Sequence, residues 1–357
     1  MKVLLLSKYP RMGASSRLRS LQYLPALVDE GLEVTVSSLF DDEYLKGLYA
    51  EGRRSKVRSL VLYLKRFLAL ITVFRYELVW VEKEIFPYFP AVFERLLAVL
   101  GVKYVVDYDD AIFHNYDLAG SGLIRKLLGR KIDVVMANAT CVIAGNEYLA
   151  IRARQAKARR VEIIPTVVDH TRYEHSVDTG SGHYVIGWIG SPSTQRYVVD
   201  IKDALKAVCD RMGARLVLVG ATDDVVNQLS GISVEVVPWR EDTEAANIAR
   251  MDVGIMPLVD GPWEKGKCGY KLIQYMASGV PVVASPVGVN VGIVTESGAG
   301  YLASTPDEWK EALLALLQCE KRRRASGIAG RAAVHETYSM QAQIPRLVQI
   351  LRAPGAI

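Results

Sequence analysis

Twelve short apolar runs, set between stretches of helical period, constrain this chain more than any other feature. Six occupy the first half: KVLLLS (2–7), EVTVSSL (33–39), LVWVEK (78–83), KYVVDYD (103–109), CVIAGN (141–146) and VEIIPT (161–166). After Asp169 the rhythm restarts with YVIGWIG (184–190), RLVLVG (215–220), VEVVPW (234–239), VGIMPL (253–258), PVVASP (281–286) and AGYLAS (299–304). Runs this continuous are read as strands buried on both faces. When such strands alternate with helices they pair in parallel, because a parallel neighbour is reached only through a long crossover. The fold expected is therefore α/β, with two Rossmann-like domains and a cleft between them.

A length of 357 residues suits two domains. The polar segment HTRYEHSVDTGSGH (170–183) lacks any hydrophobic period and marks the link. An acceptor-side domain over 1–169 and a donor domain over 170–339 follow, with a last helix at about 340–357 crossing back onto the first domain. Thr305-Pro306-Asp307-Glu308 is a helix start, with a capping threonine, a first-turn proline and two acids facing the dipole. Two basic amphipathic segments, 319–337 and 340–352, come next, with Tyr338-Ser339 as the break between them.

Cys141, Cys209, Cys268 and Cys319 lie far apart, without a CxxC pair or a Cys/His cluster. Free thiols in a reducing compartment are expected, and neither a zinc site nor a disulfide framework. Met1-Lys2 leads straight into an apolar strand, so no signal peptide is expected and the protein should stay in the cytoplasm. The net charge of +5 is uneven: the window 52–76 holds Arg53, Arg54, Lys56, Arg58, Lys65, Arg66 and Arg75 and only its neighbours carry acids. Its apolar runs are too interrupted to span a bilayer. Two readings remain, a core helix with a solvated basic edge and an interfacial helix on an anionic membrane.

Ligands of open parallel sheets sit beyond the carboxyl ends of the strands. After the first run, Gly13, Ala14, Ser15, Ser16 and Arg17 offer close backbone approach, a capping hydroxyl from Ser15 or Ser16, and a cation, which suits a phosphate or anionic acceptor. The loop is not GxGxxG, and no acid ends the second run, which argues against a nicotinamide dinucleotide. After the fourth run stand Asp107, Asp109, Asp110 and then His114. One reading is a DxD site, Asp107 and Asp109 holding a divalent metal on a diphosphate, although the two-half plan argues against it. The other places Asp109 or Asp110 on an acceptor hydroxyl or on charge developing at a sugar carbon, with His114 as the alternative polar group.

In the second half, Gly190, Ser191 and Thr194 form a strand-to-helix turn whose N–H and hydroxyl groups can face an oxyanion, with Arg196 as counter-charge. Trp239 and Arg240 end the third run of this half, where an aromatic edge meets a nucleobase or fills the core. Lys265, Lys267, Gly269, Tyr270 and Lys271 open a helix, supplying the cations a polyphosphate leaving group needs when no metal is bound.

Here the second half resembles the donor domain of glycosyltransferase family 4, a retaining family of the GT-B fold. IPTVVD (164–169) resembles the family's IPNGVD, IGWIGSPST (186–194) its glycine loop, DVGIMPL (252–258) its DVxxxPS/L strand, and YMASGVPVV (275–283) its EAMAxGxPVV core. In the first half the resemblance rests on the opening strand, the 13–17 loop and DYDDAIF (107–113), similar to members tied to bacterial surface polysaccharides. The family's paired glutamates would fall on Gly266 and Gln274, so both acids are missing; Gln274 would meet a ribose without charge, and Glu264 is a candidate for the first acid.

The resemblance implies transfer of a sugar, with retention, from a UDP- or GDP-sugar to a hydroxyl of a lipid-linked or saccharide acceptor, in capsule, O-antigen or exopolysaccharide assembly. It implies no metal or other cofactor, no nucleic-acid partner, and a place in the cytoplasm at the inner face of the cell membrane. A non-hydrolysing sugar-nucleotide epimerase and a non-catalytic sugar-nucleotide-binding protein remain as alternatives.

Overall fold

The computed structural model describes residues 1–51, 56–174 and 182–355. Arg53 and Arg54 of the basic window, and most of the polar tail of the expected link, lie outside the described residues. The chain forms two compact units: Met1–Thr166 with Gly266–Cys268 and Gln343–Ile357, and Val167–Lys265 with Gly269–Ala342.

All twelve apolar runs are strands, six to a sheet. The first sheet holds β1 (Lys2–Ser7), β2 (Glu33–Ser38), β3 (Leu78–Glu82), β4 (Tyr104–Tyr108), β5 (Cys141–Ala144) and β6 (Val161–Ile163), and the second β7 (Val185–Ile189), β8 (Arg215–Val219), β9 (Val234–Val237), β10 (Val253–Met256), β11 (Val282–Ala284) and β12 (Gly300–Leu302). Several strands stop short of the apolar runs because Pro165, Pro238 and Pro257 bring no amide donor to the ladder. Pairing is parallel in both, in the orders β2-β1-β3-β4-β5-β6 and β12-β11-β10-β7-β8-β9. Central strands β3 and β7 are buried along their whole length, while edge strands β2, β6, β9 and β12 are only partly so.

The strand orders locate two crevices. In the first sheet the chain reverses its direction of travel between β1 and β3, and in the second between β7 and β10; ligands of such sheets bind beyond the strand ends at these switch points. The segments to inspect are those after Ser7 and Glu82, and those after Ile189 and Met256.

Thr305 caps the helix Pro306–Leu317 by a reciprocal box, accepting from the Glu308 amide at 3.3 Å while the Glu308 carboxylate accepts from the Thr305 amide at 3.0 Å. The helix Glu320–Ala333 runs into a π-turn, Val334–Tyr338, and Ser339 breaks it with an extended backbone paired to Val168. From the closing helix Met340–Arg352, Arg346 reaches Glu162 at 2.8 Å and Arg352 donates to Glu30 O, while Arg160 donates to Ala353 O at 2.7 Å.

The helix Lys56–Ile71 departs from a core helix with a basic edge. Leu62, Leu70 and Arg66 are buried, whereas Val57, Leu60, Val61, Leu64, Phe67, Leu68 and Ile71 form an exposed stripe of helical period. Arg66, counted in the sequence toward a basic surface, points inward and donates to Ser7 O and Ser37 O at the ends of β1 and β2.

Candidate functional site

In the first unit, the segment beyond β1 leads into the helix Ala14–Arg19. Its N-cap is Gly13, where a Cβ would come within 2.4 Å of Tyr9, and no side chain caps it. Ser15 and Ser16, expected as caps, lie inside the helix and turn toward β3 instead. Ser16 Oγ donates to Glu82 Oε2 at 2.6 Å and accepts from the Tyr9 amide, and Ser15 Oγ accepts from Lys83 Nζ at 3.0 Å. Arg17, expected as an open cation, is buried and donates to Arg11 O at 3.2 Å.

The carboxylates after β4 have separate partners. Arg19 holds Asp107 with two bonds, 2.8 and 3.2 Å, and turns its remaining donors to Ile164 O and Thr166 Oγ1. Asp107 is thus committed to a buried ion pair rather than facing a metal with Asp109. Lys83 Nζ lies 2.8 Å from Asp109 Oδ1 and 3.7 Å from Asp110 Oδ2. Both ring nitrogens of His114 are taken, Nδ1 by Asp117 at 2.8 Å and Nε2 by the Tyr148 hydroxyl at 2.9 Å, so this side chain braces the loop. Lys8, at the end of β1, stacks over the Tyr9 ring; burial and the neighbouring Lys83 lower its pKa.

The short segment Gly266–Cys268 groups with the first unit, whereas the sequence assigned it to the second. Gly266 leaves no room for a side chain, since a Cβ would stand 2.4 Å from Ala111. Asn146 donates to Gly266 O and Lys267 O, each at 2.9 Å, and Cys268 Sγ donates to Asp109 O at 3.1 Å. Lys267, expected at a leaving diphosphate, sits close enough to Asp110 for its charge to oppose, without overcoming, the rise that burial and Asp109 give that carboxyl.

In the second unit, Gly190 follows β7 and a Cβ there would strike the Trp188 ring at 2.3 Å and approach Lys271 Cε at 3.0 Å. Lys271 Nζ lies over the Trp188 ring at 5.1 Å. Ser191, Ser193 and Thr194 are in or next to a single 3-10 turn, Pro192–Thr194, with Ser191 Oγ 3.0 Å from Ser193 Oγ and Thr194 donating to Ser191 O. Arg196 donates to the Tyr197 hydroxyl at 3.0 Å, and that hydroxyl donates to Glu264 Oε1 beyond β10. Glu264 thus stands at the second switch point as a buried carboxylate.

Gly269, with φ +66°, is the N-cap of the helix Tyr270–Ala277, whose first turn carries no side-chain cap. Gln274, expected at a ribose, is buried and donates to the Tyr173 hydroxyl at 3.3 Å. Tyr173 in turn donates to Glu244 Oε1 at 2.6 Å, and Glu244 Oε2 accepts from Trp239 Nε1 at 2.7 Å. This chain fixes the Trp239 ring at the end of β9. Arg240 is turned to Asp242 at 2.9 Å on the surface.

Residues 183–319 match the family model described as glycosyl transferases group 1. The strands of the second sheet thus all fall within a stretch that is similar to the group 1 glycosyltransferases. The chain is 27% identical over 229 residues to a GDP-mannose-dependent monoacylated alpha-(1-6)-phosphatidylinositol monomannoside mannosyltransferase of Corynebacterium glutamicum, a match covering 64% of this chain and 50% of that protein. The chain thus spans about half the length of the curated relative it matches. Among solved structures it is similar to sucrose-phosphate synthase from Thermosynechococcus elongatus, with a TM-score of 0.74, 16% identity, and 99% and 98% of the two chains covered. HepE of Anabaena in complex with UDP gives a TM-score of 0.70 at 16% identity over 99% of this chain and 100% of that one. The fold is the GT-B arrangement of two Rossmann-like domains.

Several polar residues at the strand ends and in the second unit escaped sequence reasoning: Lys83, Glu84, Tyr173, Tyr197 and Glu244. Lys83 ends the run LVWVEK and Glu84 follows it, and a charged pair at a strand end is itself a signal of a ligand site. Glu84 accepts from both Lys131 and Tyr116, so it is held in a buried ion pair just beyond β3. Tyr173, Tyr197 and Glu244 carry no spacing that sets them apart from packing residues.

Proposed function

We propose that this protein is a retaining glycosyltransferase that moves a sugar from a UDP- or GDP-sugar to a hydroxyl of a lipid-linked or saccharide acceptor in bacterial surface-polysaccharide assembly. The observation that carries the reading is the second switch point. There Gly190 and its hydroxyl-bearing turn follow β7, the Arg196–Tyr197–Glu264 chain spans the β7 and β10 ends, and Gly269 opens a helix with uncapped amides. Amides at a helix start, hydroxyls and cations are what a diphosphate requires. The relative's use of GDP-mannose and the UDP bound by HepE support a nucleotide-sugar donor.

In this reading the Gly190 turn, Ser191, Thr194, Arg196, Lys271 and the Gly269–Tyr270 helix start meet the diphosphate. Trp239, fixed by Glu244, offers its ring to the base. Glu264, with one oxygen on Tyr197, meets sugar hydroxyls in place of the missing paired acids. Lys267, Asp109 and Asp110 act on the acceptor side.

The exposed stripe of Lys56–Ile71 supports an acceptor held at a lipid surface. Val92, Leu96 and Val99 on the helix Val92–Val99 are exposed too, and Phe67 meets Phe93 across the two helices with ring centroids 6.0 Å apart. Lys65, Arg75 and Arg95 are exposed around this apolar area, suiting an anionic bilayer. No helix among the described residues is long and apolar enough to cross a membrane.

The test is a thermal-shift screen against UDP, GDP, ADP and their sugar conjugates, followed by donor turnover with and without acceptor. Stabilisation by a uridine or guanosine diphosphate and acceptor-dependent turnover are expected. Stabilisation by none would overturn the proposal, and acceptor-independent conversion of the sugar would favour an epimerase.

A further inference from the structure

Lys83 closes β3 in a backbone conformation that side chains avoid, with φ +65°. Strained positions of this kind persist where the surroundings over-determine them, and they gather at ligand sites. Its amide donates to Asp107 O at 2.9 Å, continuing the β3–β4 ladder by one step and fixing the residue beside the end of β4. The ammonium is 7% exposed and reaches Asp109 Oδ1 at 2.8 Å and Ser15 Oγ at 3.0 Å, with Asp110 Oδ2 at 3.7 Å.

The two adjacent carboxylates are therefore unequal. Asp109 is in contact with the ammonium and 13% exposed, while Asp110 is farther from it and 28% exposed. The remaining charged or titratable groups acting on the pair come from every element around it. They are Lys8 after β1, Arg19 on the first helix, Glu82 before Lys83, Asp107 on β4, and Lys267 with the Cys268 thiol on the 266–268 segment.

We propose that Lys83 is a positioning residue: it holds Asp109 as its counter-ion and so leaves Asp110 as the carboxyl that hydrogen-bonds the acceptor hydroxyl. This rests on the transferase reading given above. The titration directions agree with the geometry. Burial raises both carboxyls, but at Asp109 the Lys83 charge and the Ser15 hydroxyl outweigh it and hold the group below its ordinary range. At Asp110 burial is reinforced by the Asp109 charge, and the group lies above that range.

The experiment is a carboxyl NMR titration of the full chain labelled with 13Cγ-aspartate, with Asp109→Asn and Asp110→Asn assigning the signals. One midpoint below and one above the ordinary aspartate value are expected, the lower belonging to Asp109. Lys83→Arg should keep that order, and Lys83→Met should raise Asp109 and narrow the gap. Two wild-type midpoints at the ordinary value, the reverse order, or a gap unchanged by Lys83→Met overturns the proposal. Should the methionine variant not fold, the wild-type and arginine titrations decide the question alone.

A second arm follows turnover of UDP-glucose and GDP-mannose against pH. Lys83→Met should lower kcat about tenfold and shift the pH profile at unchanged donor KM, with Lys83→Arg restoring both. An unchanged profile counts against Lys83. Absence of wild-type turnover with any sugar nucleotide would instead sink the transferase reading and Asp110's part in it, while the titration would still decide whether Lys83 orders the pair.

Discussion

Arg19 and Asp107 meet at 2.8 Å with both side chains almost wholly buried, so removing either strands a charge in the core. Arg19→Met is expected to destabilise the protein by about 3–5 kcal/mol, read by urea denaturation, and adding Asp107→Leu should recover much of the loss because the orphaned carboxylate goes too. The run of acids in the sequence leaves two readings open for this stretch, one of them Asp107 and Asp109 on a metal, which the two-half plan disfavours. The partner of Asp107 lies 88 residues away on the first helix, and no local pattern announces such a pairing. Gly190 shows the opposite case, a residue whose importance is visible in the chain. Gly190→Ala would need Trp188, itself buried, to shift, so nucleotide binding measured by calorimetry should weaken about tenfold or more while the far-ultraviolet spectrum is kept.

The helix Pro306–Leu317 is nailed at its start by a capping box already visible as Thr305-Pro306-Asp307-Glu308. Thr305→Ala should cost about 1 kcal/mol in chemical denaturation, since one orphan amide loses its acceptor. The closing helix Met340–Arg352 depends on long-range charge. At Glu162, burial alone would raise the carboxyl, but Arg346 and Arg160 outweigh it and hold the pKa below its ordinary value. A group depressed in this way contributes stability above the unfolded carboxylate range and loses it as pH falls through the folded value. Stability of the wild type relative to Glu162→Gln should therefore shrink on acidification from pH 6 toward 3, and a constant difference would refute the tie. For the helix Lys56–Ile71, Leu64→Glu places a charge in the exposed apolar stripe. Co-sedimentation with vesicles holding anionic phospholipid should fall at least tenfold, and wild-type binding should weaken in high salt; equal binding by variant and wild type would remove the lipid surface from the account.

At the scale of the whole molecule, two sheets of six parallel strands each carry their polar chemistry beyond the strand ends at one switch point. If the second switch point takes a nucleoside diphosphate, a ligand at about one hundred times its Kd should add about 2.7 kcal/mol to stability, raising the Tm in a concentration-dependent way. The sequence by itself determined the twelve strands, the parallel pairing, the capped helix and the break before the last one, because burial on both faces, proline and capping residues act within a few positions. Only the tertiary structure decided the order of strands, which places the two crevices. It also decided that Arg19 takes Asp107, that Lys83 divides Asp109 from Asp110, that Gln274 is sealed beneath Tyr173, and that the stripe of Lys56–Ile71 faces outward. Each of those depends on which distant segments become neighbours. A buried charge or amide takes its partner from whatever the fold brings within reach, not from its place in the chain.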